Sequence, residues 1–348
     1  MRFTNTTPLA AHLSIGRELP NGLRAGLVLA KATFTFDERG RLRLDDQDPM
    51  PLFDADKETP LGLLPRDNMP RNDAAFEVFL LGKAHAPFGK PVPHVRVGLT
   101  VGDTKRELDV YGNRFWVGTG PGAVLSAPEP FLEMPLTYSR AFGGTADIEV
   151  DVDSPIEVTH PDNPEGVGFD LEPIAASLHA ELNCPAGFPR YARERAVPNI
   201  EAVDSPLKHW SDTPEPELWS AVPLGSAIHN RRCFRVEGEG PTARVHVAPG
   251  HLHRAHPGWA LPCAPAPSTA IRLEHLTRGG TIDLRFPSLE VHLDYVLGDR
   301  GGSRALAPRA LVLLPEEHRI TSLYSMTFQV DPPNRGHRSA RLRITEKA

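Results

Sequence analysis

The sequence has no apolar run long enough to cross a membrane. Cysteine is scarce: Cys184, Cys233 and Cys263 are widely spaced, with no Cys-x-x-Cys pair. That argues against a disulfide framework and suits a reducing compartment. The first residues, Met1-Arg-Phe-Thr-Asn-Thr-Thr-Pro8, lack an apolar signal core, so a cytoplasmic protein is expected. There is no excess of basic residues. A net charge of -6, with arginines scattered rather than striped, favours neither nucleic acid nor an anionic membrane as partner. Gly-x-Ser-x-Gly, His-Glu-x-x-His and a Walker-type Gly-Lys-Ser/Thr are all missing.

What is abundant is proline. The 36 in 348 residues are about twice the usual share and point to loops and edge segments rather than long helices. Between the prolines, the pattern is one of strands. In Val28–Phe36, Val28, Ala30, Ala32, Phe34 and Phe36 share one face, and Asp37-Glu-Arg-Gly40 turns the chain into Leu42-Arg-Leu44. A polar excursion over 45–73 reads as surface loop. Phe76–His85, Val95–Val101, Lys105–Tyr111 and Arg114–Val117 read as further strands. The last three, joined at Gly102-Asp103 and Gly112-Asn113, predict an antiparallel meander. In the final third, 242–247, 271–276, 281–286, 289–297, 310–314, 324–330 and 340–344 carry alternation or short apolar runs. The middle is sparse in strands, with one short helix expected over 172–182.

The expected architecture is therefore mainly β. Antiparallel sandwich or open-barrel halves, 1–127 and 231–348, flank a Pro-rich, loop-rich middle, 128–230, with one or two short helices.

One stretch in that middle stands apart: Pro128-Glu-Pro-Phe-Leu-Glu-Met-Pro-Leu-Thr-Tyr-Ser-Arg-Ala-Phe-Gly-Gly144. Its prolines exclude a helix or a central strand, yet Phe131, Met134, Leu136, Tyr138 and Phe142 make it too apolar for a solvated linker. It reads as a packed belt whose Gly143-Gly144 permits a tight exit, or as a docking surface.

Candidate chemistry is thin. Gly118-Thr-Gly-Pro-Gly-Ala123 formally matches a dinucleotide fingerprint, but the required helix does not come after it. Ser205-Pro-Leu-Lys208 lacks the Lys-Thr-Gly that would accompany a Ser-x-x-Lys nucleophile. His246, His251, His253 and His256 could supply imidazoles to zinc or nickel, at a spacing that matches no standard motif; a solvated loop is the alternative. Acidic pairs such as Glu316-Glu317 could do acid–base work or simply be solvated. Trp116 reads as a core residue, and Trp210 and Trp219 as core or interface anchors. These residues assemble no catalytic, cofactor or metal site.

Several stretches taken together resemble one bacterial family, described as domain of unknown function 2169 and associated with type VI secretion. They are Asn5-Thr-Thr-Pro8, Val28–Phe36, Gly82–Pro87, Gly112-Asn-Arg-Phe-Trp116, the run Pro130–Gly144, Asn163-Pro-Glu-Gly-Val-Gly168 and Val197-Pro-Asn-Ile-Glu201. Ala255-His-Pro257 and Arg278-Gly-Gly280 are weaker echoes. The resemblance implies a non-enzymatic adaptor or chaperone that binds a secreted effector and helps load it onto spike proteins of the VgrG and PAAR kinds. It implies no cofactor. Trp116, Phe131, Met134, Tyr138, Arg140, Phe142, Gly143, Gly144 and Asn163, with Trp210 and Trp219, are the expected fold or interaction determinants. The alternatives are a metal-dependent hydrolase using the His246–His256 loop, and a structural or carbohydrate-binding β-sandwich protein.

Overall fold

A computed structural model describes residues 2–18, 24–68, 74–118, 122–149, 155–170, 194–223, 226, 229, 233–238, 240, 243–297, 300–330 and 338–346. The protein is mainly β, with several sheets and no closed barrel, and no helix of seven or more residues among the described residues. The helix expected over 172–182 lies outside them, as does Cys184.

Three sheets carry the fold. The largest runs Ala10–Glu18, Arg24–Phe36, Arg319–Val330, Ala307–Leu314, Phe76–Leu80 and Ala260–Leu261, with Leu42–Leu44 also on Arg24–Phe36. Neighbours are antiparallel except Ala307–Leu314 and Phe76–Leu80, which run parallel. A five-stranded sheet orders Ile200–Ala202, Thr104–Tyr111, His94–Val101, Ala270–Thr277 and Gly280–Arg285. A four-stranded one orders Arg2–Asn5, Arg338–Glu346, Leu289–Leu297 and Arg300–Ala305.

The alternation seen in the sequence explains these strands. Val28, Ala30, Ala32, Phe34 and Phe36 are all buried. Val97, Leu99 and Leu108 of the second sheet and Val291, Leu293 and Leu342 of the third join them in one apolar cluster. Burial of period-2 faces from three sheets against one another supplies the main stabilisation.

The topology differs from the expected division at 127 and 231. Arg24–Phe36 pairs along its length with Arg319–Val330, and His94–Val101 pairs with Ala270–Thr277. Arg2–Asn5 also runs parallel to Arg338–Glu346, so the first and last thirds share all three sheets instead of building one each. Residues of the expected middle, Leu136, Tyr138, Leu218 and Trp219, belong to the same core.

The expected meander also stops one strand short. Thr104–Tyr111 does pair with His94–Val101, but Ile200–Ala202 takes its other edge. Arg114–Val117 leaves the sheet and pairs instead with Val124–Leu125 and Glu194–Val197. Between the two strands, Gly112 lies so close to the belt that a Cβ there would sit 1.7 Å from the Glu129 carbonyl oxygen. The chain passes against the belt there rather than folding back. The excursion over 45–73 is likewise more than loop. It holds a hairpin, Lys57–Thr59 with Gly62–Leu64, and Asp67 is buried against Lys31.

Candidate functional site

The belt is stitched to the scaffold along its length. Phe131 exchanges backbone hydrogen bonds with Val92 at 2.9 and 3.0 Å. Glu133–Pro135 pairs with Lys83–His85, which places Met134 opposite Ala84 in the core. Tyr138–Arg140 forms a 3-10 turn with Tyr138 buried. Phe142–Gly143 then runs parallel to Val167–Gly168. Prolines occupy positions where no ladder donor is needed, so the belt contributes short bridges in place of a strand.

Two asparagines close the belt. Asn163, buried, donates its side-chain amide to the carbonyls of Tyr138 (2.7 Å) and Phe142 (3.0 Å), and its own carbonyl accepts from the Gly144 N–H (2.8 Å). Gly143 and Gly144 adopt φ of 145° and 100°, and a Cβ on Gly143 would lie 2.2 Å from the Asn163 oxygen. Only glycine meets both conditions. Asn199 is the second clamp. It accepts from Arg140 Nη1 at 3.1 Å through Oδ1, donates its N–H to the Arg140 carbonyl at 2.9 Å, and donates Nδ2 to the Tyr111 carbonyl at 3.1 Å.

Beneath them, Arg114 and Glu201 form an interior ion pair. Arg114 also donates to the Pro198 carbonyl at 2.8 Å and stacks 3.9 Å above the Tyr111 ring. The second oxygen of Glu201 accepts the Leu207 N–H at 3.2 Å. Burial pushes the Glu201 carboxyl above its ordinary value, against the pull of Arg114. Trp116, Phe142, Val197 and Leu207 pack beside this junction as a second apolar cluster, with Trp210 half-buried on its rim. Trp219 is instead in the main core, 1 % exposed and edge-on to Trp259 at 6.0 Å. It is a packing residue, with no surface to offer a partner.

The turn Tyr138–Arg140 borders two clefts. One of about 600 Å³ is lined by Glu58, Tyr138, Arg140 and Glu165 among others. A smaller one of about 330 Å³ includes Asn113, Arg114, Arg140 and Asn199. In the second, Asn199 is already bonded to Asn113 and Arg140, and Arg114 to Glu201 and the Pro198 carbonyl.

Two polar sets escaped the sequence reading. Arg254, fully buried, forks onto Asp56 at 2.8 and 2.9 Å and donates to the Val222 carbonyl. Glu77, also buried, accepts the backbone N–H groups of Arg254 and Ala255. Burial pushes the Asp56 carboxyl up, but the Arg66 backbone N–H and Arg254 outweigh it and hold Asp56 below its ordinary value. Arg254 lies inside the histidine-rich stretch, where the imidazoles drew attention away from it.

The second set borders a cleft of about 700 Å³ that His85, Arg278, Glu316 and His318 line. His85 Nε2 meets Glu316 at 2.6 Å, and Nδ1 faces Glu133 at 3.8 Å. Lys83 and Arg278 both reach Glu133, at 2.8 and 2.9 Å, and the Lys83 bond foremost holds that carboxyl below its ordinary value. Both imidazole nitrogens thus face protein carboxylates, which leaves neither directed at a substrate. Glu316 pairs with a histidine here, whereas the sequence suggested it beside Glu317.

The histidines at 246, 251, 253 and 256 do not converge. His246 sits on Arg244–Val247 beside Glu237 at 3.4 Å, His251 Nδ1 bonds the Ala248 carbonyl, and His256 Nδ1 accepts from Gly258. No group of three metal-ligating side chains occurs among the described residues. Residues 119–121 of the glycine fingerprint lie outside those described, and directly after the fingerprint the chain enters the strand Val124–Leu125 rather than a helix.

The surface carries one unusual element. Phe234–Glu237 and Arg244–Val247 form a hairpin that joins no other sheet among the described residues. Its pairs Phe234–Val247 and Val236–Val245 are 50–66 % exposed. An aromatic, Phe88, is 95 % exposed on a turn at φ 58°.

Fold and junction together define a mainly-β protein whose signature polar residues face inward as structural clamps. The chain belongs to the bacterial family described as uncharacterized protein conserved in bacteria (DUF2169), whose model matches residues 21–324. No curated protein and no solved structure gives a match.

Proposed function

We propose that the protein is a non-enzymatic adaptor or chaperone of a type VI secretion system, working in the bacterial cytoplasm. In this reading it binds a secreted effector and helps load it onto a VgrG/PAAR-type spike. The observation that carries the reading is the exposed apolar face of the hairpin Phe234–Glu237 and Arg244–Val247, displayed on a braced β scaffold. Contiguous exposed apolar side chains of this kind mark protein-binding surfaces. The inward-facing signature residues support it too: Asn163 and Asn199 hold the belt, and Arg114 is paired with Glu201 in the interior, so they serve rigidity. The resemblance of the Pro130–Gly144 run to a secretion-associated family points the same way.

Deletion of the gene, followed by measurement of effector delivery to a target cell, tests the proposal. Delivery is expected to fail and to return with the wild-type gene. Unchanged delivery would overturn it.

A further inference from the structure

The turn Tyr138–Arg140 carries a cation without a counter-charge. Arg140 is partly exposed and donates once from its side chain, from Nη1 to Asn199 Oδ1 at 3.1 Å. A guanidinium has five N–H donors, so the other four are without a partner among the described residues, and no carboxylate there pairs with Arg140. Asn199 fixes the guanidinium in place. It is buried, and its Nδ2 is tied to the Tyr111 carbonyl at 3.1 Å and to Asn113 Oδ1 at 3.3 Å. A held guanidinium with donors to spare suits a planar carboxylate, which it can take bidentately.

Arg140 borders both clefts at the turn, and they differ in charge. The larger also has Glu58 and Glu165 in its lining, which oppose an anion. The smaller, of about 330 Å³, has Asn113, Arg114, Ser139, Arg140 and Asn199 as its polar lining, with no carboxylate among the described residues. Arg114 is balanced by Glu201 in the interior, so Arg140 supplies the net charge. The rest of that lining is apolar: Phe115, Val167, Ala196 and Val197. In the small sheet beside it, Phe115 is opposite Ala196 and Val117 is opposite Val124. Residues two apart on a strand share a face. Val117 and Val124, 48 and 67 % exposed, therefore continue the Phe115–Ala196 side beyond the cleft.

We infer that the smaller cleft binds the free C-terminus of a partner polypeptide. Its terminal carboxylate sits on Arg140, its last side chain, apolar, lies against Phe115 and Ala196, and the side chain two residues earlier covers Val117 and Val124. The spacing fits, because same-face residues are about 7 Å apart both in an extended peptide and along the strand that carries Phe115 and Val117. The volume is at the small end of ligand pockets and suits one residue rather than a nucleotide. An internal Asp or Glu would bring a carboxylate but leave no side chain for Phe115 and Ala196, and a phosphate has no apolar part. The cleft needs no adaptor role to hold a chain end, so the inference goes beyond that reading.

Three short peptides that differ only at their ends are the probes. One finishes Val-Ser-Leu with a free carboxylate, the second is its C-terminal amide, and the third is an amide finishing Val-Ser-Glu. Fluorescence anisotropy with the full-length protein reads their binding. The free-carboxylate peptide is expected to bind at least about tenfold more tightly than either amide. Arg140→Gln should erase that difference and leave the weaker binding of the Leu amide as it was, a pattern that loosening of the belt alone would not give. Should Arg140→Gln fail to fold, as judged by circular dichroism, Val124→Asp carries the test from an exposed position. It should weaken the free-carboxylate peptide at least about tenfold, and a peptide with lysine in place of the valine should recover the loss.

Equal binding of the free and amidated Leu peptides, or no binding by any of the three, overturns the inference. So does a preference for the free carboxylate that survives in folded Arg140→Gln. Binding of the Glu amide as tight as that of the free-carboxylate peptide overturns it too, because a side-chain carboxylate would then be the ligand. Effector delivery after gene deletion reads the adaptor role separately, so either can fail while the other stands.

Discussion

Arg114 and Glu201 are joined across 87 residues of chain as an ion pair whose side chains are 4 % and 2 % exposed. Removing one partner strands the other charge in the interior. Arg114→Met alone is expected to lose about 3–5 kcal/mol of stability. The double variant Arg114→Met/Glu201→Leu should recover much of that loss, because no charge is then buried. Urea unfolding of the two singles and the double measures the coupling. A single as stable as wild type would show the pair to be solvated.

Gly143→Ala tests the belt's exit. The new Cβ would meet the Asn163 backbone oxygen at 2.2 Å and sit at a φ of 145°. A loss of more than about 2 kcal/mol is expected, from strain added to a broken contact. Gly122→Ala, with nothing within 4 Å of its Cβ, is the control that should change little. Thermal melts of the two variants make the comparison.

Phe142 and Phe88 make opposite predictions. Phe142 is 3 % exposed among Trp116, Val197 and Leu207, so Phe142→Ala should lose about 3–5 kcal/mol. Phe88 packs on little, and its φ of 58° favours glycine. Phe88→Gly is expected to leave stability unchanged or raise it by up to about 1 kcal/mol. Denaturant midpoints decide both.

Stability should fall at both ends of the pH scale for identifiable reasons. Tyr324 is buried, and desolvation pushes its hydroxyl to about 12 from an ordinary 10.0. Its pKa is raised in the fold, so its contribution is complete below pH 10 and is lost as pH climbs through 12. Ultraviolet titration of the folded protein should show a tyrosine ionising late, and that component should be absent in Tyr324→Phe. Asp56 works in the other direction. Held below its ordinary 3.8, it contributes above that value and the contribution is lost as pH falls through its folded pKa. Asp56→Asn should therefore flatten the acid limb of the stability curve.

Much of the fold was legible residue by residue. The alternation in Val28–Phe36 and in 289–297 located strands because a period of two is a local property. Gly40 marked a real turn, with φ 73° and Asp37 accepting from Arg39 and Arg41. Pairing was less legible. Nothing near Tyr111 signals that Asn199 and Ile200, some ninety residues on, will take the sheet edge that Arg114–Val117 was expected to fill. The site was legible in part. The run Pro130–Gly144 and the Val197-Pro-Asn-Ile-Glu201 string were visible as unusual, but the clamp between Arg140 and Asn199 was not. Arg254 and Glu77 left no mark at all, since a lone arginine in a polar stretch reads as solvated.

Local pattern in the chain suffices to establish a mainly-β protein, rich in proline-bounded segments, with a packed belt at 128–144 that ends on two glycines. Period, φ restriction and missing donors lead there, and all of them act within a few residues. Long-range pairing was needed to show that the first and last thirds share sheets, and that Trp219 packs inside while Phe234 faces out. It was needed too for the finding that Asn163 satisfies the carbonyls the belt leaves unpaired. Each of those depends on which backbone groups remain open once strands far apart in sequence have paired. A buried donor or acceptor must then be met by whatever side chain the fold brings within reach.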